Sequence, residues 1–374
     1  MAFDRRDFIK GSLAAGTLLS GAAAGAAERA QSGARRHRTI AVEESFSIPE
    51  ISQESVKFLM SPEGREQGWE AMARFYADQS REWGERSLDL GEGRIAAMDA
   101  GGIDVQLLLL GSMGLQSMEA ARATELTALA NDRLAEAVRR YPQRFAGLTA
   151  LAPQDPEAAA LELERGVKRL GLKGAVINSH ARGEYLDDPK YLPIFEAAAA
   201  LDVPIYLHPS LPAPQMVRPF LDYGLIGPMW GYAAETAVHA LRLILCGLFD
   251  RFPRLTIVLG HLGEGIPYFL TRIDTQHLNT QAQRTPKLKR LPSEYFRDNF
   301  YVTTSGMNAS PAVMFCHQVL GADRMMLAID YPYEPLEEEM RAFERQPLPE
   351  ADRAKICHLN AERVFRLGDG STGK

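Results

Sequence analysis

The chain is 374 residues long, 46% hydrophobic and 24% charged, the ordinary balance of a soluble globular enzyme and enough for one large barrel or two ordinary domains. Its net charge of −6 comes from interleaved acidic and basic residues, which gives no sign of a nucleic-acid groove. Cys246, Cys316 and Cys357 lie far apart and lack metal-type spacing, so they read as reduced packing residues.

At the N-terminus, Asp4-Arg5-Arg6-Asp7-Phe8-Ile9-Lys10 precedes an apolar, Gly- and Ala-rich run from Gly11 to Ala27, with Ala24-Gly25-Ala26 as a small-residue cleavage site. An arginine pair, a nearby Phe and a modestly hydrophobic run resemble a twin-arginine export signal. The run is too short and too rich in Gly and Ala for a membrane anchor. Residues 1–37 are therefore read as signal and linker, and the mature chain is expected in the periplasm or outside the cell, or in the cytoplasm if the signal is not used.

From Arg38 the pattern alternates. Arg38 to Val42 predicts a first strand, ending in Glu43-Glu44-Ser45. Ile48 to about Glu85, polar and Trp-containing, reads as loop and short helices inserted over a barrel mouth. Arg94 to Ala100 is a helix stopped by Gly101-Gly102, and Ile103 to Leu110 is the second strand. A long amphipathic helix, Ala120 to Tyr141, leads to a third strand from Phe145 to Leu151. A helix from Pro156 to Leu170, with Gly171 as its cap, precedes a fourth strand at Gly174–Ile177, ending in Asn178-Ser179-His180. Tyr191 to Leu201 is a helix, Val203 to Leu207 the fifth strand, and His208 follows it. After a loop rich in Pro, Gly and aromatics, the helix Ala233 to Phe249 leads to the sixth strand, Leu255–Leu259, followed by Gly260-His261. Phe300–Thr303 is the seventh strand and Arg324–Ile329 the eighth, ending at Asp330. Eight buried strands alternating with helices predict an α/β fold, a (β/α)8 TIM barrel over 38–367 with a small insertion after the first strand and a disordered tail at 368–374.

In such a barrel the residues just past the strands face one another. Here they are Glu43, His208, His261 and Asp330. Any one alone reads equally well as a strand cap. Carboxylates and imidazoles converging without a cysteine suit one divalent ion of the Zn or Mn type. A bridged two-metal site would need a lysine at the end of the fourth strand, but Lys173 precedes that strand and Asn178 stands at its end. Ser45 occupies the position where a second histidine would follow the first-strand ligand.

Longer motifs then carry a family resemblance over nearly the whole mature chain. They include Ala41-Val42-Glu43-Glu44, Ile205-Tyr206-Leu207-His208-Pro209, Glu235-Thr236-Ala237-Val238-His239-Ala240-Leu241-Arg242-Leu243, Leu259-Gly260-His261-Leu262-Gly263-Glu264, Thr303-Thr304-Ser305-Gly306 and Asp330-Tyr331-Pro332-Tyr333-Glu334. The chain resembles the amidohydrolase-related superfamily, and within it the non-oxidative decarboxylases of the γ-resorcylate and 2,3-dihydroxybenzoate type. The resemblance implies that Glu43, His208 and Asp330 are metal ligands and that His261 with Glu264 is a catalytic pair. Ser45 is a departure from many members, which carry a further metal-binding histidine there.

Loss of CO2 from an aromatic acid requires that the ring carbon be protonated as the bond breaks. Asp330 is the expected proton donor, with His261 and Glu264 as alternative donor or relay. The substrate is expected to be a small hydroxybenzoate-like or related unsaturated acid. Arg272 is read as a partner for its carboxylate or as a salt bridge holding a helix; Trp230 and Tyr232 as ring-stacking or as core residues; His180 as a pocket residue. His261 and Glu264, three apart at a helix start, are expected to face one cavity. The apolar faces of the helix Ala233 to Phe249 point to a homo-oligomer, a dimer or tetramer. A lactone or amide hydrolase of the same superfamily is the alternative activity, and a barrel that has lost catalysis a third reading.

Overall fold

The structure, a computed structural model, describes residues 37–111, 115–283 and 286–368. The export-signal reading falls on residues outside these, as does the tail from 369. Short runs of Val, Ile and Leu become strands buried on both faces, the pattern of a parallel sheet covered by helices. They are β1 (Ile40–Phe46), β2 (Val105–Leu110), β3 (Phe145–Gly147), β4 (Thr149–Ala150), β5 (Ala175–Asn178), β6 (Ile205–His208), β7 (Ile257–Leu259), β8 (Phe300–Thr303) and β9 (Met325–Met326). Every pairing is parallel and between sequence neighbours, in two runs, β1 to β3 and β4 to β9.

The expected third strand is thus two pieces divided at Leu148. Leu148 N donates to Leu108 O at 2.9 Å and Thr149 N to Gly174 O at 2.8 Å, so one extended segment serves both runs. At the other seam Val42 N donates to Leu327 O at 3.1 Å and Ser45 N to Tyr331 O at 2.7 Å, which closes the ring. Counting β3 and β4 as one stave, this is the (β/α)8 barrel. Among the outer helices are Ala120–Arg140, Leu192–Leu201, Gly231–Leu245, Ile266–Thr280 and Ser310–Leu320.

Several local expectations change. The stretch after β1 is mostly helical, with helices at Pro49–Met60, Pro62–Glu66, Trp69–Phe75 and Ala77–Leu88. Trp69 from this insertion packs with Leu211, Val217 and Ile226 of the loop after β6, forming a small second core. Gly68 permits that packing: its φ is +87°, and a Cβ there would lie 2.9 Å from both Val217 and Ile226. The helix expected from Ala233 to Phe249 ends at Leu245, because Gly247 turns left-handed (φ +81°) before Leu248–Arg251. Gly368, expected in a loose tail, accepts a 2.6 Å hydrogen bond from Arg38 Nη1. No described helix is long and apolar enough to cross a membrane.

Candidate active site

Glu43 lies within β1 rather than beyond it. The β1–β2 register shifts between Ala41 and Glu44, an irregularity of the kind that re-aims a side chain on a barrel rim. Its carboxylate is fully buried. Oε2 accepts from Thr303 Oγ1 at 2.9 Å and from Ser305 Oγ, whereas Oε1 has no hydrogen-bond partner among the described residues. Gly260 makes room for this group, since a Cβ there would lie 2.6 Å from Oε1. Burial would raise the Glu43 carboxyl, but His261, His208 and the Ser305 and Tyr206 hydroxyls reverse that and hold it below its ordinary value.

His208 closes β6. Its Nδ1 donates to Pro209 O at 3.1 Å, which leaves the Nε2 lone pair facing Glu43 Oε1 at 3.7 Å. Burial lowers its pKa, against the pull of Glu43 and Asp330, so the imidazole is neutral and able to ligate. Asp330 follows β9 with φ at +75°, held by its N–H donating to Glu43 O at 3.1 Å. One ligand atom from each of Glu43, His208 and Asp330 lies within 4.8 Å of the others. Glu43 Oε1 and Asp330 Oδ1 are both buried without partners among the described residues, a cost that a cation between them would remove. The donor set therefore fits one divalent ion with open positions.

His261 and Glu264 do meet, Nδ1 to Oε1 at 2.8 Å, but not on a right-handed helix start. His261, Leu262, Gly263, Glu264 and Gly265 have φ of 49°, 54°, 78°, 56° and 78°, one left-handed turn after β7. For non-glycine residues this conformation is costly, and it persists here because Leu262 and Gly263 are buried against the barrel. Gly263 is needed for a second reason, as a Cβ would lie 2.8 Å from Val302 Cγ1. The turn aims His261 Nε2 at Asp330 Oδ2, 3.5 Å away. Burial works against a charged imidazole, yet Glu264, Glu43 and Asp330 together hold His261 well above its ordinary pKa. Its side chain is 22% exposed, so solvent screens part of this effect without changing its direction. Asp330 is raised chiefly by burial, and so is Glu264.

The barrel mouth thus brings together Glu43, His208, His261, Glu264 and Asp330. It does not gather the other expected substrate residues in the same way. Arg272 lies on the helix Ile266–Thr280, which starts only after the left-handed turn, and it is exposed. Trp230 is 57% exposed, and Tyr232 packs on the small second core. His180 is buried with both ring nitrogens used, Nε2 to Leu211 O at 2.9 Å and Nδ1 from Gly183 N at 2.9 Å. That pattern suits a neutral ring supporting the loop after β6. His239 is likewise satisfied, between Ser179 Oγ and Leu186 N. Sequence reasoning assigned no role to Thr303 and Ser305. The signal available was the Thr303-Thr304-Ser305-Gly306 motif that closes the seventh strand.

The amidohydrolase family model matches residues 48–367. The chain is 40% identical over 341 residues to the γ-resorcylate decarboxylase of Polaromonas sp., covering 88% of this chain and 98% of that protein. The structure superposes on 5-carboxyvanillate decarboxylase of Novosphingobium aromaticivorans, solved with manganese and a nitro-substituted hydroxybenzoic acid, with a TM-score of 0.85 and 40% identity over 90% of this chain and 99% of that one. A dihydroxybenzoic acid decarboxylase from Polaromonas sp., solved with manganese and 2-nitroresorcinol, gives a TM-score of 0.79 at 39% identity, over 90% and 100% of the two chains.

Proposed function

The chain belongs to the amidohydrolase family, and on that premise we propose that it is a metal-dependent, non-oxidative decarboxylase of a small hydroxybenzoate-like acid. The observation that carries the reading is the pair of buried, unpartnered carboxylate oxygens, Glu43 Oε1 and Asp330 Oδ1, beside the lone pair of His208 Nε2. These three residues would hold the ion. Manganese is favoured over zinc, because two carboxylates and one imidazole form a hard donor set and because the solved relatives hold manganese. An ion bound there would supply positive charge to stabilise anionic oxygens of the substrate.

Burial weakens the acidity of Asp330, and with His261 as its proton source it is the group placed to deliver a proton to the ring carbon that bears the carboxylate. The bond from that carbon to the carboxylate then breaks, its electron pair restores the aromatic ring, and CO2 leaves. His261 reloads Asp330 across 3.5 Å, and Glu264 fixes the imidazole orientation. The insertion reaches the segment after Asp330, where Trp83 packs edge-on to Tyr333 at 5.4 Å between ring centroids.

The test is a CO2-release screen over mono- and dihydroxybenzoates with manganese-loaded protein, run beside lactone and ester hydrolysis on the same preparation. CO2 release without hydrolysis supports the decarboxylase; the reverse supports the hydrolase reading. We also propose export by the twin-arginine route, from Arg5 and Arg6, and self-association through the exposed cluster Tyr268, Phe269 and Phe315. Apolar patches of that kind commonly seat a partner subunit. Light scattering on the purified chain tests the association, and a monomer would refute it.

A further inference from the structure

The opposite end of the barrel holds a cavity of about 370 Å³, within the range of small-molecule sites. It opens at the N-terminal ends of β6 and β7, beside Pro204 and Thr256, and is walled by Tyr301 of β8 and the C-terminal segment around Val364. It shares no residue with the metal-binding set. Four arginines line it, Arg251, Arg254, Arg363 and Arg366, against a single acid, Asp202. The lining is therefore locally positive although the chain carries a net charge of −6.

Two of the guanidiniums are paired only at the surface. Arg251 meets Glu196 and Arg366 meets Asp202, with all four side chains at least half exposed. Such pairs contribute little and exchange readily for a better anion. Arg254 and Arg363 have no carboxylate within 4.0 Å among the described residues. Arg363 is nevertheless held in place, since Nη2 donates to Asp323 O and Tyr301 OH at 3.2 Å and to Asn360 Oδ1 at 3.0 Å. All three acceptors are neutral, so its charge is oriented but not compensated. Phe252 and Tyr301 supply aromatic wall beside the charges, with Arg251 5.3 Å from the Phe252 ring centroid.

We propose that this cavity is a second binding site, for a small phosphate-bearing molecule. Planar guanidinium forks match phosphate oxygens in pairs, and several forks around one recess favour a multiply charged group over a lone carboxylate. The volume exceeds what inorganic phosphate alone fills, and the aromatic wall suits an organic remainder. An organic phosphate of mononucleotide size is the occupant the chemistry favours.

Calorimetric titration of the metal-loaded full chain with AMP, inorganic phosphate and adenosine tests this. AMP should bind saturably and more tightly than adenosine. The paired substitution Arg251→Gln with Arg254→Gln, both at exposed positions, should weaken AMP by about tenfold or more while metal content stays unchanged. Arg363→Lys, which keeps the charge but loses the fork, should weaken it less. Inorganic phosphate binding as well as AMP, and with the same sensitivity to the arginines, would support the site and name free phosphate as its occupant. No saturable binding of either anion up to about 10 mM overturns the proposal, as does AMP binding that is matched by adenosine or untouched by the arginine substitutions.

Discussion

Ser305→Ala removes one of the two hydroxyls that donate to Glu43 Oε2 and leaves Thr303 Oγ1 at 2.9 Å as the other. The carboxylate is fully buried, so no solvent replaces the lost donor. A hydrogen bond to a charged group is worth about 1.5–3 kcal/mol, and outer partners of a metal ligand typically govern about 10–100-fold in affinity, which is about 1.4–2.7 kcal/mol. The two ranges agree. Without Ser305 the burial that raises the Glu43 carboxyl is less well opposed, so a proton competes better with the metal. Manganese should therefore bind Ser305→Ala about 10–100-fold more weakly, and the defect should grow as pH falls. Chelator-competition titration of the metal-free protein measures both. A dissociation constant unchanged in Ser305→Ala, and again in Thr303→Val with Ser305→Ala, would refute the idea that these hydroxyls present Glu43 to an ion.

Three further outcomes are expected. Ser45→His places an imidazole two residues after Glu43 on β1, and it should tighten manganese binding by about 1–3 kcal/mol, on a hydrogen-bond scale, with decarboxylation tolerated; unchanged affinity would mean that Ser45 does not face the ion. Burial raises the Glu235 carboxyl to about 8, against donors such as Ser179 Oγ at 2.8 Å. In the unfolded chain it ionises near its ordinary 4.5, so the unfolded state holds fewer protons across that window and stability falls as pH rises from about 4.5 to 8, by at most about 1.4 kcal/mol per pH unit. Glu235→Gln should flatten that decline in denaturant titrations, and an unaltered slope would show Glu235 to be ionised in the fold. Replacing both Arg5 and Arg6 with Lys should leave unprocessed protein in the cytoplasm; normal export would point to another route.

The barrel was legible because its signal is repetitive. Short β-branched runs, each followed by a helix, allow few other architectures, and the residues after such runs meet at one rim. That is why Glu43, His208, His261 and Asp330 stood out from a bare chain. The register shift in β1 left no trace in the pattern, since Val42, Glu43 and Glu44 read equally well as a regular strand end. The left-handed turn from His261 to Gly265 was equally hidden. Gly263 and Gly265 hint at it, but nothing in the propensities of His261, Leu262 and Glu264 favours positive φ. Thr303 and Ser305 are neutral hydroxyls whose role depends on a carboxylate more than 250 positions away in sequence. Trp230 and Arg272 show the converse limit, as residue types suited to substrate contact whose exposure only the fold reveals.

The central claim is that Glu43, His208 and Asp330 hold a metal on which decarboxylation depends. Mass spectrometry of CO2 released from the carboxyl-¹³C-labelled hydroxybenzoate that the protein turns over fastest tests it most directly, with the protein manganese-loaded, stripped by chelator, then reloaded. The account predicts one labelled CO2 for each phenol formed, loss of both products on stripping, and recovery on reloading in the wild type but not in Glu43→Gln or His208→Ala. Labelled CO2 at an undiminished rate from stripped protein, or from either variant, would contradict it.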